Sequence, residues 1–312
     1  PPKKYEDIVN PDFGCEDSGS LWNALRDVIL FWVDQGVKIF RVDNPHTKPF
    51  PFWEWLIHQV QLHHPDVIFL AEAFTRPKLM KGLAKLGFTQ SYTYFTWRTQ
   101  RWELEQYLIE LTGYPERDFY RPNFFVNTPD ILPFHLQGGE PWMFKSRVAL
   151  AATLSGTYGL YNGFELLEHE PIPGREEYLD SEKYEIKVRD WDKPGNIKPY
   201  IRDLNLVRRA NAALQQTSNL RFLPIEDSNV IGFVKEAVDG SNTVAVAIAL
   251  SRDAHEVWLP LGDVELGAGD ERRHVAAVEN LITGERHALD WGGIRVRIDP
   301  MRDPAVLFRC LA

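Results

Sequence analysis

Between residues 37 and 214 short apolar runs alternate with amphipathic stretches, and this alternation constrains the fold more than any other feature of the chain. The runs "VKIFRV", "DVIFLAEAF", "FTQSYTYF", "RPNFFVN" and "GTYGLYNG" read as strands. Helical segments lie around them. Residues 20–35 carry an apolar face marked by Leu21, Leu25, Val28, Leu30 and Trp32, and Gly36 ends the segment. "FWEWLIHQVQLHH" is stopped by Pro65, and "RPKLMKGLAKL" has Gly87 past its end. "WRTQRWELEQYLIEL", "PWMFKSRVALAATL" and "YIRDLNLVRRANAAL" complete the set. Strands alternating with helices argue for a parallel sheet with βαβ crossovers. Five such units fit part of a barrel, and a doubly wound sheet also fits that count.

From about residue 218 the texture changes to short β-rich runs, "VIGFVKEAV", "NTVAVAIAL", "AHEVWLPL", "IRVRIDP" and "AVLFRCLA", separated by turn residues. These predict an antiparallel sandwich. The intervening residues 164–198 are rich in Glu, Lys, Pro and Gly, and a loop of that length in a compact domain is usually functional. The net charge of −9 repels phosphate backbones, which argues against a nucleic-acid partner. Cys15 and Cys310 sit at opposite ends, with neither a metal spacing nor a disulfide framework. No apolar run reaches the length of a membrane helix. Aromatic residues make up 12% of the chain; they fill cores, and Trp and Tyr also offer flat platforms suited to carbohydrate rings.

Three carboxylates follow apolar strands, the first, second and fourth of the five: Asp43 after "IFRV", Glu72 after "IFLA" and Asp130 after "FFVNTP". The C-terminal edge of a parallel sheet is where ligands bind. One acid at such a place also fits a helix cap; three of them suggest a site. A pair of carboxyl groups can carry out retaining glycosyl transfer, one attacking the anomeric carbon and the other serving as acid and then base. Arg41, two residues before Asp43, shares its face of the strand and would keep it ionised, although a strand-end salt bridge explains the same spacing.

"FRVDNPHTK", "FLAEAF" and "FFVNTPD" resemble three motif regions of the α-amylase clan, glycoside hydrolase family 13. The resemblance implies a (β/α)8 TIM barrel over residues 1–216, followed by an antiparallel β-sandwich over 217–312. It assigns Asp43 as nucleophile, Glu72 as proton donor and base, Asp130 as transition-state stabiliser and Arg41 as partner of the nucleophile. Further motifs, "PPKKYEDI", "YNGFELLE" and "EKYEIKVRDWD", are similar to one branch of that family. Its members move a maltosyl unit from α-maltose 1-phosphate to the non-reducing end of an α-1,4-glucan. On this resemblance Asp7, Asn44, Lys183 and Tyr184 bind the donor sugar, and Lys3 and Tyr5 meet its phosphate. Read alone, Lys3 is also a solvated charge, and Lys183 and Tyr184 are also plain loop residues. The resemblance implies no metal and no organic cofactor, and a cytoplasmic homodimer as the parent protein.

The sequence departs from plain amylases. Pro129 stands where they carry His before the third acid, and His46 and Lys48 flank Thr47 where a Lys-His pair is usual. Both departures disfavour a plain amylase and agree with the maltosyl-transferring branch, with an amylase-type hydrolase or a non-catalytic glucan-binding fragment as the alternatives. The chain starts "PPKKYEDIVNP", without Met, and five strands cannot close an eight-strand barrel, so we expect an incomplete piece of a longer protein.

Overall fold

Each apolar run becomes a strand, and each amphipathic stretch a helix. In the computed structural model the order is α1 (Ser18–Asp34), β1 (Ile39–Asp43), α2 (Phe50–Gln61), β2 (Ile68–Glu72), α3 (Pro77–Lys85), β3 (Gln90–Tyr92), α4 (Arg101–Thr112), α5 (Glu116–Phe119), β4 (Pro122–Phe125), α6 (Pro141–Leu154), β5 (Thr157–Gly159) and α7 (Lys198–Ala210). Strands β6 to β15 follow. The structure describes residues 9–182, 186–267 and 272–312. They divide into two units, one running to Thr93 and including Tyr114–Pro122, the other made of Tyr94–Gly113 and Asn123–Ala312.

In the first unit β1 pairs parallel with β2, Ile39 opposite Ile68 and Asp43 opposite Glu72. β2 continues to β3 through Leu70–Gln90 and Ala71–Ser91. Helices form the crossovers because parallel neighbours cannot be joined by a tight hairpin. On α2 the residues Phe52, Leu56, Ile57 and Val60 make one stripe, buried against Val67, Phe69 and Ala71 of the β2 segment and Leu83 of α3. Each such side chain contributes about 1.5–3 kcal/mol through burial. Gly87 adopts φ +110 just past α3, and a Cβ there would come within 2.9 Å of Ile57. The inner face of α1 differs from the sequence reading. Trp22, Leu25, Ile29 and Leu30 pack on the core and Val33 is buried, whereas Val28 and Trp32 are exposed. The 3.6-residue period from Trp22 carries the stripe through Leu25 and Ile29 to Val33, leaving Val28 and Trp32 on the flank.

In the second unit β4 pairs parallel with β5, Asn123 opposite Thr157 and Phe125 opposite Gly159. α6 is buried along nearly its whole length, from Phe144 to Leu154, the mark of a helix apolar all round. Its buried cation, Arg147, donates hydrogen bonds of 2.6 Å to the carbonyls of Phe95 and Arg98 and stacks on the Phe95 ring at 4.2 Å. Burial pulls its pKa down to about 9. The last carbonyls of α6 lack intrahelical donors. The buried Lys235 amine, from the later strand Val230–Glu236, donates to two of them, Thr153 at 3.1 Å and Leu154 at 3.4 Å, and also to the carbonyl of Gln216.

The remainder is the antiparallel β domain expected from the sequence. β6 (Leu220–Phe222), β7 (Val230–Glu236), β8 (Thr243–Ala249), β12 (Ala277–Asn280), β13 (Arg286–Ala288) and β15 (Ala305–Leu311) form one sheet in the order β13-β12-β15-β8-β7-β6. β9 (His255–Pro260) pairs with β14 (Gly293–Ile298), and β10 (Glu265–Leu266) with β11 (Arg273–His274). Val257, Leu259, Val296 and Ile298 of the β9–β14 ribbon share a core with Val234, Ala245, Ala247 and Phe308 of the larger sheet. Two layers closing on one core make the sandwich.

His135, in the short turn Phe134–Leu136, leads to a pH prediction. Burial, reinforced by the Arg147 charge, holds its pKa down to about 2, and its buried Nε2 has no hydrogen-bond partner among the described residues. The unfolded chain binds a proton near pH 6.5, and the folded one does not. Stability from this site is therefore full above pH 6.5 and lost as pH falls below it. At pH 5 we expect a loss of about 1 to 2 kcal/mol, removed in His135→Gln. Urea unfolding of the full-length protein at pH 7.5 and pH 5 checks this, and equal loss in both proteins contradicts it.

Candidate active site

β1 alternates, so Arg41 and Asp43 point to one side of the sheet. Parallel in-register pairing puts Glu72 beside Asp43 on the next strand, and adjacent strands run about 4.8 Å apart. Neighbouring strand ends are the placement that a retaining pair, with carboxyl groups roughly 5–5.5 Å apart, requires. The Arg41 guanidinium serves both acids, 3.8 Å from Asp43 Oδ2 and 3.5 Å from Glu72 Oε1. Their environments differ: Glu72 is 5% exposed, whereas the Asp43 carboxylate is open to solvent.

Tyr92, at the end of β3, completes the row, a residue that sequence reasoning did not single out. Burial raises its phenol pKa, opposed by the charge and hydrogen bond of Arg41, and the Glu72 charge adds to the rise. Three successive strands thus end in Asp43, Glu72 and Tyr92, with Arg41 among them. The available signal was position, since β3 is only three residues long and ends on a buried aromatic carrying a polar group.

The chain leaves β1 through Asn44, left-handed at φ 45, a conformation that Asn tolerates better than most residues. Its N–H donates to the Glu72 carbonyl at 3.0 Å, tying the two strand ends together. The Trp53 indole of α2 donates to the Pro45 carbonyl at 2.8 Å and fixes the turn Pro45–Thr47. Lys48 donates to Thr47 Oγ1 at 3.0 Å, which in turn donates to the Asn44 carbonyl at 2.8 Å. Burial, then the Lys48 charge, lowers the pKa of His46 against the pull of Asp43. Burial lowers that of Lys48, again opposed by Asp43.

Asp130 lies in the second unit, exposed in a tight turn closed by two hydrogen bonds between Thr128 and Ile131, of 3.1 and 3.2 Å. Its N–H donates to Thr128 Oγ1 at 3.2 Å. Pro129 occupies the first central position of this turn, where its fixed φ is favourable. Lys3, Tyr5, Asp7, Lys183 and Tyr184 lie outside the described residues.

The long loop contains a polar network that the sequence did not announce. Asn127 donates to the Tyr178 hydroxyl at 2.6 Å and accepts from the Tyr161 N–H at 2.8 Å. The Tyr161 hydroxyl donates to Glu182 at 2.9 Å. Arg189, its side chain 3% exposed, reaches Glu168 and Glu182 at 2.9 Å each and lies over the Tyr161 ring. Burial works against its cation, but hydrogen bonds to Glu168, Glu182 and Tyr161 outweigh it and raise the pKa.

Comparison with solved structures gives the class. The α-amylase of Geobacillus thermoleovorans complexed with acarbose superposes with a TM-score of 0.74 at 14% identity, over 96% of this chain and 65% of that one. The noncanonic maltogenic α-amylase AmyB of Thermotoga neapolitana gives 0.68 at 15% identity, over 99% and 70%. At such identities the likeness shows the fold: later βα units of an amylase-type (β/α)8 barrel, followed by an antiparallel β domain. No family model matches the chain. Over nearly its whole length the chain is homologous to the C-terminal portion of α-1,4-glucan:maltose-1-phosphate maltosyltransferases. It is 52% identical to the one from Rhodospirillum rubrum, over 99% of this chain and 45% of that protein, and 51% identical to the one from Burkholderia pseudomallei, over 99% and 28%. The chain thus spans less than half the length of these relatives. Among the described residues no helix is long and apolar enough to cross a membrane.

Proposed function

We propose that the protein carrying this chain moves a maltosyl unit from α-maltose 1-phosphate to the non-reducing end of an α-1,4-glucan, releasing phosphate, in the cytoplasmic synthesis of glycogen or a similar α-glucan. The observation that carries the reading is the register pairing of Asp43 with Glu72 beneath one guanidinium, in a chain half identical to maltosyltransferases. Asp43 attacks the anomeric carbon. Glu72 protonates the departing phosphate oxygen, and the ester left on Asp43 is a β-maltosyl intermediate. Glu72, now a carboxylate, takes the proton of the acceptor 4-hydroxyl as that oxygen displaces Asp43. Two inversions restore the α configuration, and the proton count closes with no further reactant. Asp130 stabilises the charge on the sugar ring in the transition state, and Arg41 keeps the nucleophile oriented.

Asp7, Asn44, Lys183 and Tyr184 hold the donor sugar in this reading, and Lys3 and Tyr5 its phosphate. A Lys ammonium and a phenol are natural donors to a phosphate monoester. The barrel portion ends near residue 216, the β domain begins near 217, and the parent is a homodimer. The test is the product. Full-length protein given maltose 1-phosphate and maltohexaose should release phosphate in step with glucans lengthened two glucose units at a time. Maltose released from starch with no use of the phosphorylated donor would replace transfer by hydrolysis.

A further inference from the structure

On the solvent side of the β9–β14 ribbon two indoles stand over a cleft. β9 alternates, burying Val257 and Leu259 and turning Glu256 and Trp258 outward, with Trp258 opposite Arg295 of β14. The Trp258 ring lies against Gly293, where a Cβ would come within 2.5 Å of it. The second indole is Trp291, at the tip of the hairpin entering β14. Asp290 and Gly293 exchange hydrogen bonds of 2.8 and 2.9 Å around Trp291 and Gly292, which have φ +47 and +77. Positive φ at both central residues is the type I′ pattern, which favours Asn, Asp or Gly at the first of them. A bulky side chain there is a strained exception, and such strain gathers at functional sites.

Packing does not compensate the strain, because Trp291 is 94% exposed. The two rings border a cleft of about 750 Å³ that is also lined by Glu226, Asp227, Glu256, Asp290 and Arg295. Four acids to one base repel phosphates, nucleic acids and acidic peptides. Flat apolar faces ringed by carboxylate acceptors and a guanidinium donor suit a pyranose, which has an apolar C–H face and a rim of hydroxyls. None of the candidate catalytic residues lines this cleft.

We propose that the Trp258–Trp291 cleft is an additional binding site for an α-1,4-glucan chain, which tethers polymer to the β domain. The choice of an α-glucan among pyranose ligands rests on the function proposed above. Glucan held here disengages without chemistry, so the site raises the local concentration of chain ends and leaves turnover to the carboxylates.

The experiment is electrophoresis of the full-length protein through native gels containing glycogen. Wild type should be retarded by glycogen and released by free maltoheptaose. Trp291→Asn should bind glycogen roughly tenfold more weakly, since a large apolar contact is lost. Asn favours the left-handed turn, so the thermal midpoint should stay level or rise, which separates loss of binding from loss of folding. Trp291→Phe should restore part of the retardation. Unchanged retardation in Trp291→Asn overturns the site, as does equal retardation by a soluble β-1,4-glucan. Retardation abolished by 0.5 M salt but insensitive to maltoheptaose also overturns it, pointing to a cationic peptide as the occupant. Asp43→Ala should be retarded like wild type. Retardation that depends on Trp291, in a protein that never consumes maltose 1-phosphate, upholds the cleft and removes the donor reading instead.

Discussion

Asp43→Ala in the full-length protein is expected to lower kcat/KM for maltosyl transfer by about 10⁴-fold or more, because in the proposed mechanism the glycosyl ester forms on Asp43. The effect should fall on chemistry alone. The Asp43 carboxylate is largely solvent-exposed, and its ion pair is a 3.8 Å contact with Arg41, which also faces Glu72 at 3.5 Å. Exposed substitutions of this kind shift stability by about 0.5 kcal/mol or less. Steady-state phosphate release, read beside the thermal midpoint, checks both parts. A variant with turnover within about tenfold of wild type would remove Asp43 from the nucleophile role.

The second large effect is expected at Arg189. Arg189→Met removes the cation between Glu168 and Glu182, leaving two carboxylates in a partly enclosed space, with Lys187 paired to Glu168 at 3.2 Å. Leaving one side of such a partly buried network unpaired costs about 1–3 kcal/mol. Here that loss falls on the loop 164–198 rather than on the whole chain. Limited proteolysis should cut within the loop, and transfer should fall with it, since Lys183 and Tyr184 directly follow Glu182 in sequence. Arg189→Lys keeps the charge but cannot fork to two carboxylates, so intermediate behaviour is expected. A Met variant as protease-resistant and active as wild type would show that the network does not order the loop.

The sequence was most readable where burial enforces a pattern. β1, β2, β7, β8 and β15 are apolar runs flanked by turn residues, and each is a strand where the alternation placed it. β11 and β13, "RH" and "RHA", are exposed and polar, held by their neighbours rather than by an apolar face, so no periodicity marked them. Asp43 and Glu72 were legible because each is an acid directly after an apolar strand, and parallel register then makes them neighbours. Tyr92 was not, because an aromatic ending a short strand looks like core until Arg41 is seen beside it. Arg189 read as one charge in a polar loop. Its partners stand 7 and 21 residues away, and only the fold brings them together. The outer face of α1 was misplaced for a related reason: its apolar residues exceed one stripe, and composition does not say which of them turn inward.

The central claim is that maltose is transferred through a covalent bond to Asp43, and the most direct measurement is to trap that bond. Glu72→Ala in the full-length protein should still react with α-maltosyl fluoride, because fluoride leaves without protonation, but the next step lacks its base and the ester should accumulate. Peptide mass spectrometry after an acid quench should then find one maltosyl unit on the peptide containing Asp43. An adduct on another residue, or consumption of the fluoride with inverted product and no adduct at all, would contradict the account.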